Sequence, residues 1–192
     1  MTLAQIKAVS LPLFAKHGYE GASLSDIAQG VGIKKPSIYA HFKGKEDLFL
    51  AVFEDVLHHQ VVEMEQLLEG MDRADTEKVL YAYLRANCLY FKQEDVKAAF
   101  LKRAMLFPPA ALADELRARF LKQEEQLLAS LTGIFTEGLQ KGHLRPNKLN
   151  DLIAAYLAMM DGLFIQLYYY TDENHDERIA GAWNIFWSGV KR

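Results

Sequence analysis

Residues 23–49 read SLSDIAQGVGIKKPSIYAHFKGKEDLF, and their spacing decides how the head of this chain folds. Ser23 followed by Asp26 predicts a capping-box start for a short helix through Ile27, Ala28 and Val31. Gly32 breaks that helix. Pro36 stands where a first helical turn tolerates proline, so a second short helix is expected over about 36–42. Two such helices joined by a tight turn have helix-turn-helix spacing. Ile27, Ala28, Val31, Ile33, Ile38 and Phe42 can face inward, and Ala28 is small enough to let the helices approach. The outer face then carries Lys35, Ser37, Tyr39, Ala40 and His41, with Lys34 before them and Lys43 after. A helix about 10–12 Å across fills the DNA major groove, and its first residues meet base edges. Lys45 opens the next helix, where its amide and its ammonium could both hold a phosphate. An ordinary surface helix pair is the bland alternative, and it does not require Ala28, Gly32, Tyr39, His41 and Lys45 together at these offsets.

Helical periodicity continues on both sides of this segment. Ile6, Val9, Leu13 and Phe14 form a stripe that stops at Gly18, with Pro12 inside it expected to kink the helix. Downstream, a long helix runs from Lys45 to about Leu68, and further helices are predicted at about 75–92, 95–106, 111–141, 148–170 and 176–190. No period-2 run, internal repeat or low-complexity segment interrupts them. The predicted fold is all-α with about nine helices: a helix-turn-helix head over 1–50 and a larger body over 51–192.

Composition sets the outer limits. The chain has 192 residues, 51% of them apolar and 24% charged, which suits a globular protein with a generous core. No stretch approaches the roughly 20 apolar residues that cross a bilayer, and no signal-peptide h-region opens the chain, so no membrane partner and a cytoplasmic location are expected. Cys88 is the only cysteine, which excludes an internal disulfide. A GxSxG elbow, P-loop or zinc signature is lacking, so neither an enzyme nor a cofactor is expected. Net charge is −3, unevenly spread: residues 1–45 hold six bases against two acids, and the remainder sixteen against twenty-three. A basic head on an acidic body fits one end that faces a polyanion.

The first 50 residues resemble the TetR family of bacterial transcriptional regulators. The resemblance runs from Phe14-Ala15-Lys16-His17-Gly18-Tyr19 through Ser23-Leu24-Ser25-Asp26-Ile27-Ala28 and Gly32-Ile33 to Ser37-Ile38-Tyr39-Ala40-His41-Phe42 and Lys45-Glu46-Asp47-Leu48. It implies a homodimer on a roughly palindromic operator in double-stranded DNA, with a small-molecule inducer sensed in the C-terminal domain. Lys34 departs from the Ser or Thr that often caps the second helix in the family, and a lysine cannot accept from the helix amides. Pro12 stands where the family has a helix former.

The body holds more aromatic residues than a plain bundle needs, and a largely apolar cavity between helices is expected there. Candidate lining residues are Tyr90, Phe100, Met105, Phe107, Phe120, Tyr156, Met160, Asp161 and Phe164. For each, core or dimer packing is the plainer reading. Asp161, amid apolar residues, could face a cationic ligand or bond a neighbouring helix end. Cys88 reads as a packed thiol. His58, His59 and Glu63 put an i, i+4 pair on one face but have no further ligands nearby, so no metal site is expected. The helices near 148–170 and 176–190 carry wide apolar faces suited to a four-helix dimer interface. The alternative function is a DNA-binding dimer that recruits a partner without a ligand.

Overall fold

The computed structural model describes residues 2–167, 169–170 and 172–192. Nine α-helices lie among them: α1 (Leu3–Gly21), α2 (Leu24–Val31), α3 (Lys35–Tyr39), α4 (Lys45–Glu69), α5 (Thr76–Gln93), α6 (Asp95–Leu106), α7 (Ala113–Gln140), α8 (Leu149–Gln166) and α9 (Asp172–Val190). One 3-10 turn, Ala110–Leu112, precedes α7. None of these helices is long and apolar enough to cross a membrane. Tyr168 and Thr171, at the predicted end of α8 and in the break after it, lie outside the described residues. His175, read from the sequence as part of that break, is inside α9.

The chain divides into two compact units that do not follow the boundary expected at residue 50. The first comprises residues 1–59 and 94–123, the second 60–93 and 124–192. Thus α6 and the start of α7 join the helix-turn-helix, because α6 packs along α1. Phe100 of α6 supplies the reason. Its ring lies 5.2 Å from Phe49 and 6.4 Å from Phe14, and Phe14 meets Phe49 edge-on at 4.9 Å. All three are buried, and burying one such ring stabilises by about 2–3 kcal/mol. Ion pairs close the rim of this unit: Lys7 with Asp55, and Arg119 with Glu54 and Glu115 at 2.7 and 2.9 Å.

Pro12 does not break α1. Pro12 and Ala8, whose carbonyl loses its helical donor, both lie on the exposed face, open to solvent. The non-helical residue is Gly18, at φ 71° and ψ −178°. Only glycine adopts that conformation at little cost. A Cβ there would also lie 2.7 Å from the Arg103 guanidinium, a flexible tip that can move aside.

In the second unit, Leu80, Tyr83, Leu84, Leu131, Phe135 and Tyr156 form the buried centre. Tyr156 is fully buried and its hydroxyl donates to the Leu80 carbonyl at 2.7 Å. The α7–α8 connection is fastened to the end of α9: Arg145 N donates to Val190 O at 2.8 Å, and Arg192 N to His143 O at 3.0 Å.

Candidate nucleic-acid interface

Ser23 caps α2 by accepting from Asp26 N at 3.1 Å, and its hydroxyl donates to the Asp26 carboxylate at 2.7 Å. The expected capping box is only half formed: the Asp26 carboxylate accepts from the Ser23 hydroxyl instead of the Ser23 N–H, and it places negative charge at the helix N-terminus. Gly32 ends α2 in the left-handed region at φ 79°, and Ile33 N donates back to Ala28 O at 2.9 Å. This is a Schellman-type stop that turns the chain within two residues. Val9 of α1 approaches Gly30 so closely that a Cβ there would lie 2.7 Å from Val9 Cγ1. Ala28, expected to let α2 and α3 approach, is buried, and Gly30 leaves room for Val9 of α1.

α3 is shorter than the expected 36–42. It spans Lys35–Tyr39, with Ala40 and His41 in the turn that follows. Ile38 O accepts from both His41 N and Phe42 N, at 2.9 and 3.0 Å, which tightens the last turn and drives Phe42 into the core. Lys34 makes no side-chain cap, as its chemistry requires. With Ile38 and Phe42 buried, the outward set is Lys34, Lys35, Tyr39, Ala40, His41 and Lys43, and Ser37 is partly exposed. Tyr39 is 51% exposed, a large ring with no core to fill.

Lys45 has a partner within the protein. Its ammonium is turned inward, donating to Tyr19 O at 2.6 Å and lying 4.4 Å above the Tyr19 ring. The C-terminal carbonyls of α1 attract a cation, and the ring adds a second attraction. Burial raises the Tyr19 phenol pKa, and the charges of Glu46 and Glu20 raise it further. The Lys45 backbone amide stands in the first turn of α4. Asp47 holds that turn by accepting from Lys43 N at 2.9 Å.

The nine residues expected to line a cavity fall into different settings. Phe100, Met105, Phe107 and Phe120 belong to the first unit, and Tyr90, Tyr156, Met160, Asp161 and Phe164 to the second. Phe100 is committed to the Phe14–Phe49 cluster. Phe107 is 79% exposed and Met105 is also exposed, because α6 ends at Leu106 before two prolines. Tyr90, Tyr156 and Met160 are buried and Phe164 is half-buried, its ring 4.4 Å from Phe91. Asp161 is exposed rather than enclosed by apolar side chains. Partial desolvation still raises its carboxyl, and Glu124 on α7 is raised by its own burial and then by the Asp161 charge. Cys88 is buried, and desolvation followed by the Asp176 charge pushes its thiol up to about 12. No cluster of three metal-binding side chains occurs among the described residues.

The candidate residues drawn from the sequence pattern do not include the buried polar residues of the second unit, Thr76, Asn87 and His175. The signal for Asn87 was available: it interrupts an apolar i, i+4 stripe between Tyr83 and Phe91.

Fold and turn together define a helix-turn-helix protein with a larger helical body. Residues 6–52 match the model for bacterial regulatory proteins of the tetR family. The HTH-type transcriptional repressor ComR of Escherichia coli K12 is 30% identical over 122 residues, which cover 62% of this chain and 58% of that relative's length. The fatty acid metabolism regulator protein of Bacillus subtilis 168 is 27% identical over 141 residues, 73% of this chain and 70% of that one. Among solved structures, the transcriptional regulator FadR from Bacillus subtilis, in complex with stearoyl-CoA, superposes with a TM-score of 0.81 at 20% identity, covering 98% of this chain and all of that one. The TetR family regulator PfmR from Thermus thermophilus gives 0.76 at 22% identity, covering 100% of this chain and 98% of that chain. The head of the chain, residues 6–52, is thus similar to that of the bacterial regulatory proteins of the tetR family, and the chain as a whole shares the fold of solved regulators of that family.

Proposed function

We propose that this protein is a ligand-responsive repressor, a homodimer that binds a palindromic operator in the cytoplasm and is released by a small, largely apolar molecule. One observation carries the DNA-binding part. The turn at Gly32 presents a short helix whose outer residues are basic, polar or aromatic, while Ile38 and Phe42 anchor it from behind. Lys35 and Ala40 are assigned to base edges, Ser37, Tyr39 and His41 to phosphates, and Lys34 and Lys43 to peripheral charge. The Lys45 amide is a further phosphate donor at the start of α4.

Assembly is argued from α8 and α9. Ala158, Gly162 and Gly181 border an open groove of about 480 Å³, and Ile185 on α9 is 79% exposed. Small residues beside an exposed large one suit close helix pairing across a two-fold axis. Two heads must lie about 34–36 Å apart to meet successive major grooves on one face of the duplex. Tyr90, Tyr156, Met160 and Phe164 support an apolar effector in the second unit, and long-chain acyl compounds come first for screening because a relative carries fatty acid metabolism in its name.

Selection of bound DNA from a random pool, followed by sedimentation of the complex, tests this reading. The expected outcome is a two-fold symmetric site holding two chains. Recovery of no preferred sequence, or a monomer bound with full affinity, overturns it.

A further inference from the structure

α6 brings a cation to a corner where the ends of three other helices meet. Phe100 packs against Phe49 and Phe53 of α4, with ring centres 5.2 and 6.5 Å away. One turn further on, the Arg103 guanidinium rests on the bare face of Gly18. A Cβ there would lie 2.7 Å from Nη1, 3.5 Å from Cδ and 3.7 Å from Cζ. The next residue of α1, Tyr19, accepts at its carbonyl from Lys45, the first residue of α4. Gly18 O itself accepts from Ala22 N, two residues before α2 opens at Leu24. α6 therefore runs toward the start of α4, and Arg103 stands beside the end of α1 and the starts of α2 and α4.

The guanidinium has no partner of its own. Arg103 is exposed, and among the described residues its side chain makes no ion pair or hydrogen bond. Other cations of the first unit are engaged: Lys7 with Asp55, Lys97 with Glu94, Arg119 with Glu54 and Glu115, and Lys45 with Tyr19 O. Glu20 and Glu46 are near enough for their charges to act on the Tyr19 phenol, yet neither is paired with Arg103.

The balance of charge points the same way. Within the first unit, residues 1–59 hold six bases and six acids, and residues 94–123 hold six bases and four acids. Its positive excess comes from the segment outside the helix-turn-helix. The second unit holds ten bases against fifteen acids. A polyanion is drawn to the first of these units, and α6 supplies part of the attraction.

Helix N-termini beside a recognition helix are where duplex phosphates dock, and α2 and α4 both open at this corner. The Lys45 ammonium is turned inward, so the corner lacks the cation that the sequence places there. Arginine carries five N–H donors in a planar fork that fits phosphate oxygens. With one part of the fork resting on Gly18, the remaining donors are free.

We infer that Arg103 is a phosphate contact of the operator, which extends the DNA interface from the helix-turn-helix onto α6. The inference rests on the DNA-binding reading above. Its test is a set of binding isotherms at several salt concentrations on the duplex recovered by selection. Arg103→Gln should weaken binding about tenfold at about 50 mM salt and lower the slope of log affinity against log salt by about one unit. Arg103→Lys should keep the slope and recover only part of the affinity, because it keeps the charge without the fork. Lys122→Gln is the control for net charge: Arg119 meets Glu54, about 13 Å along α4 from Lys45, and Lys122 lies further on along α7. It should leave the slope unchanged. All three variants should keep the melting temperature of the free protein. Replacing the phosphates of the duplex one at a time by neutral methylphosphonates should then find one position that weakens the unaltered protein and leaves Arg103→Gln unaffected.

An unchanged slope for Arg103→Gln, an equal loss for Lys122→Gln, or the absence of any phosphate coupled to Arg103 overturns the contact and leaves the DNA-binding reading standing. A melting temperature lowered by several degrees for Arg103→Gln, with its slope intact, assigns the side chain to structure and overturns the contact as well. Failure of the unaltered protein to bind any duplex removes the DNA-binding reading, and this contact with it.

Discussion

The ammonium of Lys45, first residue of α4, donates to the carbonyl of Tyr19 near the end of α1 across 26 positions of sequence. A cation placed to meet phosphate by sequence spacing is engaged within the protein, and this changes what its removal should do. Lys45→Ala should lower stability by about 1.5–3 kcal/mol, the usual value of a hydrogen bond to a charged group. It should weaken operator binding while leaving the salt dependence of binding nearly unchanged. Lys35→Ala, on the exposed face, should instead reduce the slope of log affinity against log salt by about one unit. Binding isotherms at four or five salt concentrations separate the two, and a unit drop for Lys45→Ala would return it to the phosphate contacts.

Gly18 combines a left-handed φ with the Arg103 guanidinium against its open face. Gly18→Ala is expected to cost about 2–3 kcal/mol in denaturant unfolding. The Arg103 tip can swing aside, so the backbone carries most of that cost. Adding Arg103→Ala should therefore restore little; recovery of most of the loss would show that the clash, rather than φ, is the constraint.

Tyr156 spends its hydroxyl on Leu80 O inside the second unit. Tyr156→Phe should destabilise by about 1 kcal/mol and leave effector affinity within twofold, read by calorimetry. A larger effect on affinity than on stability would place the hydroxyl in the ligand's hands.

Cys88 gives a pH prediction. Its folded thiol is pushed up to about 12 from an ordinary 9.0. The unfolded chain gives up that proton above 9 while the folded chain keeps it. The unfolded state therefore binds fewer protons between the two values, and stability falls as pH rises through this window. At pH 8 the folded thiol should resist iodoacetamide until denaturant is added, as mass spectrometry of the labelled chain would report.

α4 is one continuous helix of 25 residues contributing to both units, about 37 Å at 1.5 Å per residue. If effector and operator act through it, each must weaken the other by the same factor. An effector's dissociation constant measured with and without saturating operator should differ by about 5–150-fold. Equality of the two values would remove the coupling.

Helices were legible because their period is written into the apolar residues, and α2 with its Ser23 cap and Gly32 stop could be read almost residue by residue. Less was visible where tertiary contact decides. The bend of α1 falls at Gly18 instead of Pro12, since Pro12 is exposed and Gly18 takes a left-handed φ that only glycine adopts at little cost. α3 stops early because Phe42 is drawn into the core. The direction of a long flexible side chain such as Lys45 depends on a carbonyl far away in sequence, which no local pattern encodes. His175 looked like part of a loop because its neighbours are polar, yet it is buried within α9. Aromatic residues, by contrast, gave too little discrimination: the same residue type fills the Phe14–Phe49–Phe100 core and stands exposed at Phe107.

That core has a bearing on recombination. Because Phe100 comes from residues 94–123 yet completes the packing of Phe14 and Phe49, the DNA-reading module is not a contiguous cassette. A chimera that transplants only residues 1–50 onto another regulator's body would leave those two rings facing whatever its new α6 provides. Exchange of operator specificity between relatives should succeed only when α6 travels with the head, or when the recipient already carries a large ring at the position of Phe100. Lineages that swap heads are thereby obliged to keep, or co-inherit, a segment that lies outside the helix-turn-helix.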